Sequence, residues 1–163
     1  MVITLSTDKS PSRTVIKKDR SDERRMLAFA LAKKQKERFP EWNWHVGITF
    51  NTHVALDMQF IDELASDRAS FVGQWLANEL QDTVGLFKTP NGYWTVNKHE
   101  IIFTKWETAY EEALLKFGDY DGFDKVHAHL SLKYKKTTLR VSPKNGETHK
   151  LVEVIEPERT RSA

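Results

Sequence analysis

The chain has 163 residues, 39% hydrophobic and 29% charged, with 25 Lys and Arg against 23 Asp and Glu. That length suits one domain with a core of its own, and the composition excludes an intrinsically disordered chain. With no cysteine, a disulfide framework, a thiolate zinc site and a cysteine nucleophile are all excluded, and a formal charge of +2 does not by itself call for nucleic acid.

Val2 to Ser6 reads as a short strand, and the Ser, Pro and mixed charges of residues 8–18 make residues 1–20 a flexible arm or short strand. Ser21, Asp22 and Glu23 supply an N-cap and first-turn acids for a helix to about Arg38, closed by Pro40. Its stretch from Met26 to Ala32 is apolar on nearly every face, which asks for cover on more than one side or for a partner. Trp44 to Phe50 alternates as a strand, continuing toward His53 to Leu56.

A long helix is expected from about Phe60 to Thr83, with Ile61, Leu64, Phe71, Val72, Trp75, Leu76 and Leu80 near one stripe. Thr89-Pro90-Asn91-Gly92 marks a turn, and Tyr93 to Thr104 reads as one bent strand or two short ones. Trp106, Ala109, Tyr110, Ala113 and Leu114 predict another helix, stopped near Gly118. Asp119 to Asp124 is a loop leading into Val126 to Tyr134, which reads as a strand. Thr137 to Val141 and Lys150 to Ile155 flank Asn145-Gly146 as a terminal hairpin, with residues 156–163 frayed.

These elements predict one α+β domain over residues 21–155, with a ferredoxin-like antiparallel or mixed sheet, helices on one side, and a C-terminal β-hairpin. No apolar run approaches the ~20 residues of a membrane span, and residues 1–20 lack the apolar region of a signal peptide. The expected setting is cytoplasmic, with no membrane contact.

Chemistry is sought on two stretches. On a strand, His127, His129, Ser131 and Lys133 would share one face, backed by Val126, Ala128, Leu130, Leu132 and Tyr134. In the same way His45, Gly47, Thr49 and Asn51 alternate with Trp44, Val46, Ile48 and Phe50. Two such strands side by side could point His45 and His129 into one cleft. The bland alternative is a solvated polar face on an ordinary half-buried sheet.

In this arrangement the chain resembles the two-histidine phosphoesterase superfamily, which carries His-x-Thr/Ser boxes on neighbouring strands and includes RNA ligase and cyclic phosphodiesterase relatives. His129-Leu130-Ser131-Leu132 matches the second box, and Gly122 to Val126 is similar to its lead-in. His45-Val46-Gly47-Ile48 departs from the first box, because glycine stands where the family has a hydroxyl and Thr49 lies ~6.6 Å further along. The resemblance implies metal-independent acid-base cleavage of a cyclic phosphate or oligonucleotide, with no cofactor. His45, His129 and Ser131 would be catalytic, and Thr49, Lys133, Tyr134 and Trp44 would bind substrate.

Two other classes stay open. His127-Ala128-His129 fits the His-hydrophobe-His pattern of metal-dependent rolling-circle endonucleases, in which both imidazoles hold a divalent cation. A non-enzymatic module, such as a phage protein blocking a host factor, could bind single-stranded nucleic acid, RNA or a protein. It would use Trp42, Trp44, Tyr93, Trp94 and the basic stretch Lys133, Lys135, Lys136, Arg140, Lys144 and Lys150.

Overall fold

In the computed structural model, residues 2–7, 14–17, 21–40, 44–60, 63–140 and 149–158 are described. Among them are four helices and eight strands in two four-stranded antiparallel sheets, so the α+β class expected from the sequence is met by two sheets and not one. The chain forms two compact units, residues 1–50 with 138–144, and residues 51–137 with 145–163.

The first unit holds β1 (Val2–Thr7), β2 (Thr14–Lys17), α1 (Ser21–Arg38), β3 (Trp44–Phe50) and most of β7 (Thr137–Arg140), in the sheet order β2-β1-β3-β7. Strand β1 pairs antiparallel with both β2 and β3, and α1 packs on β1 and β3. Gly47 admits β7 closely: a Cβ there would stand 3.0 Å from the Leu139 carbonyl oxygen. The glycine that breaks the first histidine box therefore has a packing reason. On α1, Met26, Leu27 and Phe29 are exposed, so the cover expected for this apolar stretch is missing at those three positions.

The second unit holds β4 (Ala55–Met58), α2 (Ala65–Leu80), β5 (Val84–Thr89), β6 (Gly92–Asn97), α3 (Phe103–Phe117), α4 (Lys125–Tyr134) and β8 (Lys150–Ile155). Its sheet runs β4-β6-β5-β8. The Pro90-Asn91 turn joins β5 to β6 as a hairpin with Thr89 opposite Gly92. The sequence reading found this turn but not the strand before it. The expected C-terminal hairpin is corrected: β7 neighbours β3 in one sheet, whereas β8 pairs antiparallel with β5 in the other, and residues 141–148 lie outside the described residues.

Helix α2 packs on β6, β5 and β8 of this sheet, with Ala69, Val72, Gly73 and Leu76 buried and Gly73 lying against Ile155, Thr95 and Val84. Each large aliphatic side chain so buried contributes about 1.5–3 kcal/mol. The edge of β4 is closed by polar groups from elsewhere. Tyr110 Oη accepts from the Ala55 N–H at 3.0 Å, donates to the Ala55 carbonyl at 2.9 Å, and meets the Thr137 hydroxyl. Burial pushes the Tyr110 hydroxyl up to about 12, against the opposing hydrogen bonds of Thr137, Ala55 and Ser131, so it stays a neutral bracket on the sheet edge.

The largest departure from the sequence reading is α4. Residues 125–134 are helical and not a strand. The Asp124 side chain caps the helix by accepting the His127 N–H at 2.9 Å. A helical period turns Ala128 and Ser131 inward, while Val126, His129, Leu130, Lys133 and Tyr134 stay exposed.

Candidate functional site: a carboxylate pair beside α4

Below its Tyr110 bracket the open edge of β4 receives the loop before α4. Gln59 N–H donates to the Gly122 carbonyl at 2.6 Å, Met58 and Phe123 form an isolated antiparallel bridge, and Asp124 N–H donates to the Asp57 carbonyl at 3.0 Å. Gly122 makes this path available: its φ is +93°, and a Cβ there would lie 2.5 Å from the Phe60 ring. The outcome is that Asp57, on an otherwise apolar strand, and Asp124, at the head of α4, are held side by side.

Burial pushes the Asp57 carboxyl up to about 7. The negative charge of Asp124 and a hydrogen bond between the two side chains raise it further, and a backbone hydrogen bond at Met58 opposes them. Near neutrality the pair thus shares a proton. Trp94 stands opposite Asp57 in the β4–β6 register, and the half-buried His127 ring meets it edge-on at 4.9 Å and 80°. Two carboxylates, an indole and an imidazole thus gather at one end of α4.

The residues singled out from the sequence are distributed differently. His45 and Trp44 lie on β3 of the first unit, opposite Ser6 and Thr7, and their side chains are outside the described part of the structure, as is all of Trp42. Thr49 is buried and its hydroxyl bonds that of Thr138 at 2.8 Å, a link between β3 and β7. His129 is exposed on α4 in the second unit. Ser131 is buried, and its hydroxyl donates to the His127 carbonyl one turn back at 2.9 Å. Lys133 is exposed with its ammonium 5.5 Å from the Tyr134 ring.

His127 and His129, two residues apart on a helix, diverge by about 200°: one meets Trp94 and the other faces solvent. The face they would share on a strand does not form. Tyr93 is buried with Lys88 at 4.9 Å from its ring. Among the described residues no group of three or more His, Asp or Glu is placed to hold a metal, and no helix is long and apolar enough to cross a membrane.

Sequence reasoning passed over Asp57 and Asp124. The signal for Asp57 was there: one acid in the middle of Val54-Ala55-Leu56-Asp57-Met58, a stretch otherwise fit for full burial. No family model, no curated protein and no solved structure matches this chain.

Proposed function

We propose that the protein is a nucleotide- or nucleic-acid-handling protein whose phosphate chemistry is centred on Asp57 and Asp124 with a bridging divalent cation. The observation that carries this reading is the pair itself, two carboxylates held side by side at the β4 edge, one of them pushed up to about 7 by burial and by the other's charge. A divalent cation between them relieves that repulsion. Magnesium in particular is held by one or two carboxylates together with substrate phosphates and water, and not by a complete protein cage. Two ligands suffice on the protein side, and the rest come with the phosphate. The surroundings suit a polyanion, since α4 exposes Lys125, His129 and Lys133 and is followed by exposed Lys135 and Lys136. The half-buried His127, packed on the buried Trp94 beside the pair, offers an imidazole to a base or sugar. We read the layering of the second unit as ferredoxin-like and the setting as cytoplasmic, in keeping with the absence of cysteine.

This keeps the substrate class of the two-histidine phosphoesterase resemblance and moves the chemistry. The resemblance needs both boxes on strands, whereas His129 and Ser131 lie on a helix with Ser131 buried against its own backbone.

The test is calorimetric titration of wild-type protein with manganese and a nucleoside triphosphate or short oligonucleotide. Manganese should tighten phosphate-ligand binding by about tenfold or more in wild type, and by much less in Asp57→Asn and Asp124→Asn. Asparagine is also a good N-cap, so the second variant should keep α4. Binding that ignores both the cation and the substitutions would remove the carboxylate pair as the site.

A further inference from the structure

We infer that His99 is a phosphoryl acceptor, taking the group at Nε2 from a small activated donor of the acyl phosphate class while Asp82 holds the other ring nitrogen. Asp82 lies in the turn between α2 and β5, and His99 in the loop between β6 and α3, so both stand at the open end of the β5–β6 hairpin. His99 Nδ1 is 2.6 Å from Asp82 Oδ1, with the acid's side chain 10% exposed and the imidazole 69%. Asp82 also accepts the backbone N–H groups of Thr83 at 2.9 Å and His99 at 2.8 Å, and the Asn97 amide at 3.2 Å. Those donors keep the carboxylate ionised, and an ionised carboxylate only accepts, so Nδ1 carries the proton. The Nε2 lone pair is left on the far side of the ring from Asp82, the state a nucleophilic imidazole requires.

The loop has other means of holding its shape. Lys98 N–H donates to the Thr83 carbonyl at 2.9 Å, and the buried Asn97 donates to the His99 carbonyl at 2.6 Å. An exposed ring bond adds little to such a clasp, so what the pair supplies is a fixed tautomer and an aimed nitrogen. Lys98 and Glu100 flank the ring, both exposed and of opposite charge, so the selection lies in the imidazole and not in the field around it. Attack by the Nε2 lone pair forms an N–P bond and breaks the P–O bond to the acyl group, which leaves as a carboxylate with the electron pair. The ring turns cationic in that step with Asp82 against the charge, and it then gives its surplus proton to water. A phosphoryl group, unlike an acyl group, persists on imidazole in neutral water, and is thus the modification that so open a site keeps.

Acetyl phosphate tests this on the full chain, with the adduct located by mass spectrometry and its acid lability checked. His99 should be labelled about tenfold or more faster than His129, which is exposed on α4 with no described carboxylate against its ring. His99→Gln should remove that adduct. Asp82→Asn should slow it about tenfold or more, because the asparagine amide donates to Nδ1 and moves the ring proton to Nε2. Ring-nitrogen NMR shifts read that change of tautomer directly, and a merely structural role for Asp82 would not produce it. If Asp82→Asn does not fold, the comparison of His99 with His129 in the wild-type chain decides alone. Labelling of His99 no faster than of His129 overturns the inference, and so does a folded Asp82→Asn chain labelled at the wild-type rate.

Discussion

Asp57 gives the molecule a pH dependence whose sign follows from its surroundings. In the unfolded chain this carboxyl titrates near its ordinary value of 3.8, and in the folded chain at about 7. Between those two values the folded state binds more protons than the unfolded one, so stability falls as pH rises through the window and levels off above it. A shift of this size is worth on the order of 4 kcal/mol. Asp57→Asn removes the titration and keeps a donor toward Asp124. The difference in melting temperature between variant and wild type should therefore grow in the variant's favour from about pH 5 to about pH 8. A difference that stays flat over that range would mean Asp57 is ionised in the fold and the pair shares no proton. Asp82 has the opposite sign: burial works against its charge, but hydrogen bonds from the His99 ring and backbone and from Asn97 outweigh it and hold the carboxyl below its usual range.

At the scale of elements, most boundaries were legible because one period dominated each stretch. Ser21 to Arg38, Trp44 to Phe50 and Lys150 to Ile155 stand where capping and alternation put them. Residues 126–134 were ambiguous, since their apolar positions fit period 2 and period 3.6 at once. Asp124 decided the outcome by capping the backbone three residues on, a choice visible only when the pairing partners of β4 are known. Strand β5 was missed because Val84-Gly85-Leu86-Phe87 continues the apolar content of α2, with the break falling at Gln81, whose φ is +49°. For the candidate site, neither acid has a partner near it in sequence, and tertiary structure alone brings Asp57 and Asp124 together. The edge of β4 yields a test of how such pairings are held. Tyr110→Phe leaves the buried Ala55 N–H and carbonyl without their bracket and takes the Thr137 hydroxyl's partner away. Urea denaturation should show a loss of about 2 kcal/mol or more at unchanged slope. A loss below about 0.5 kcal/mol would mean that water replaces the phenol without penalty.

At the scale of the whole chain, both units are discontinuous in sequence: residues 138–144 belong to the first, and the chain then returns to the second through β8. No sequence period announces such a return, which is why a local hairpin was the natural expectation for residues 137–155. Besides the backbone ladder with β5, two further kinds of contact hold β8 and the residues after it in the second unit. Polar links run along α2 and its end, with Ser70 donating to Glu153 at 2.6 Å, Thr83 to Glu156 at 2.7 Å, and the Glu158 N–H to Asn78 at 2.8 Å. These are exposed, and exposed hydrogen bonds contribute about 1 kcal/mol or less each. Ile155 is buried against α2, so near that its Cδ1 would lie 2.6 Å from a Cβ placed on Gly73. Removing a buried isoleucine down to alanine typically costs about 2–5 kcal/mol, because the cavity left behind collapses only in part. Ile155→Ala should therefore destabilise the second unit by about 3 kcal/mol, with faster hydrogen exchange in α2 and β5, whereas Glu156→Gln should change either by little. If the two substitutions had equal effects, or if exchange in β5 were unchanged by Ile155→Ala, the closing strand would be held by its ladder and polar clasp and not by its one buried side chain.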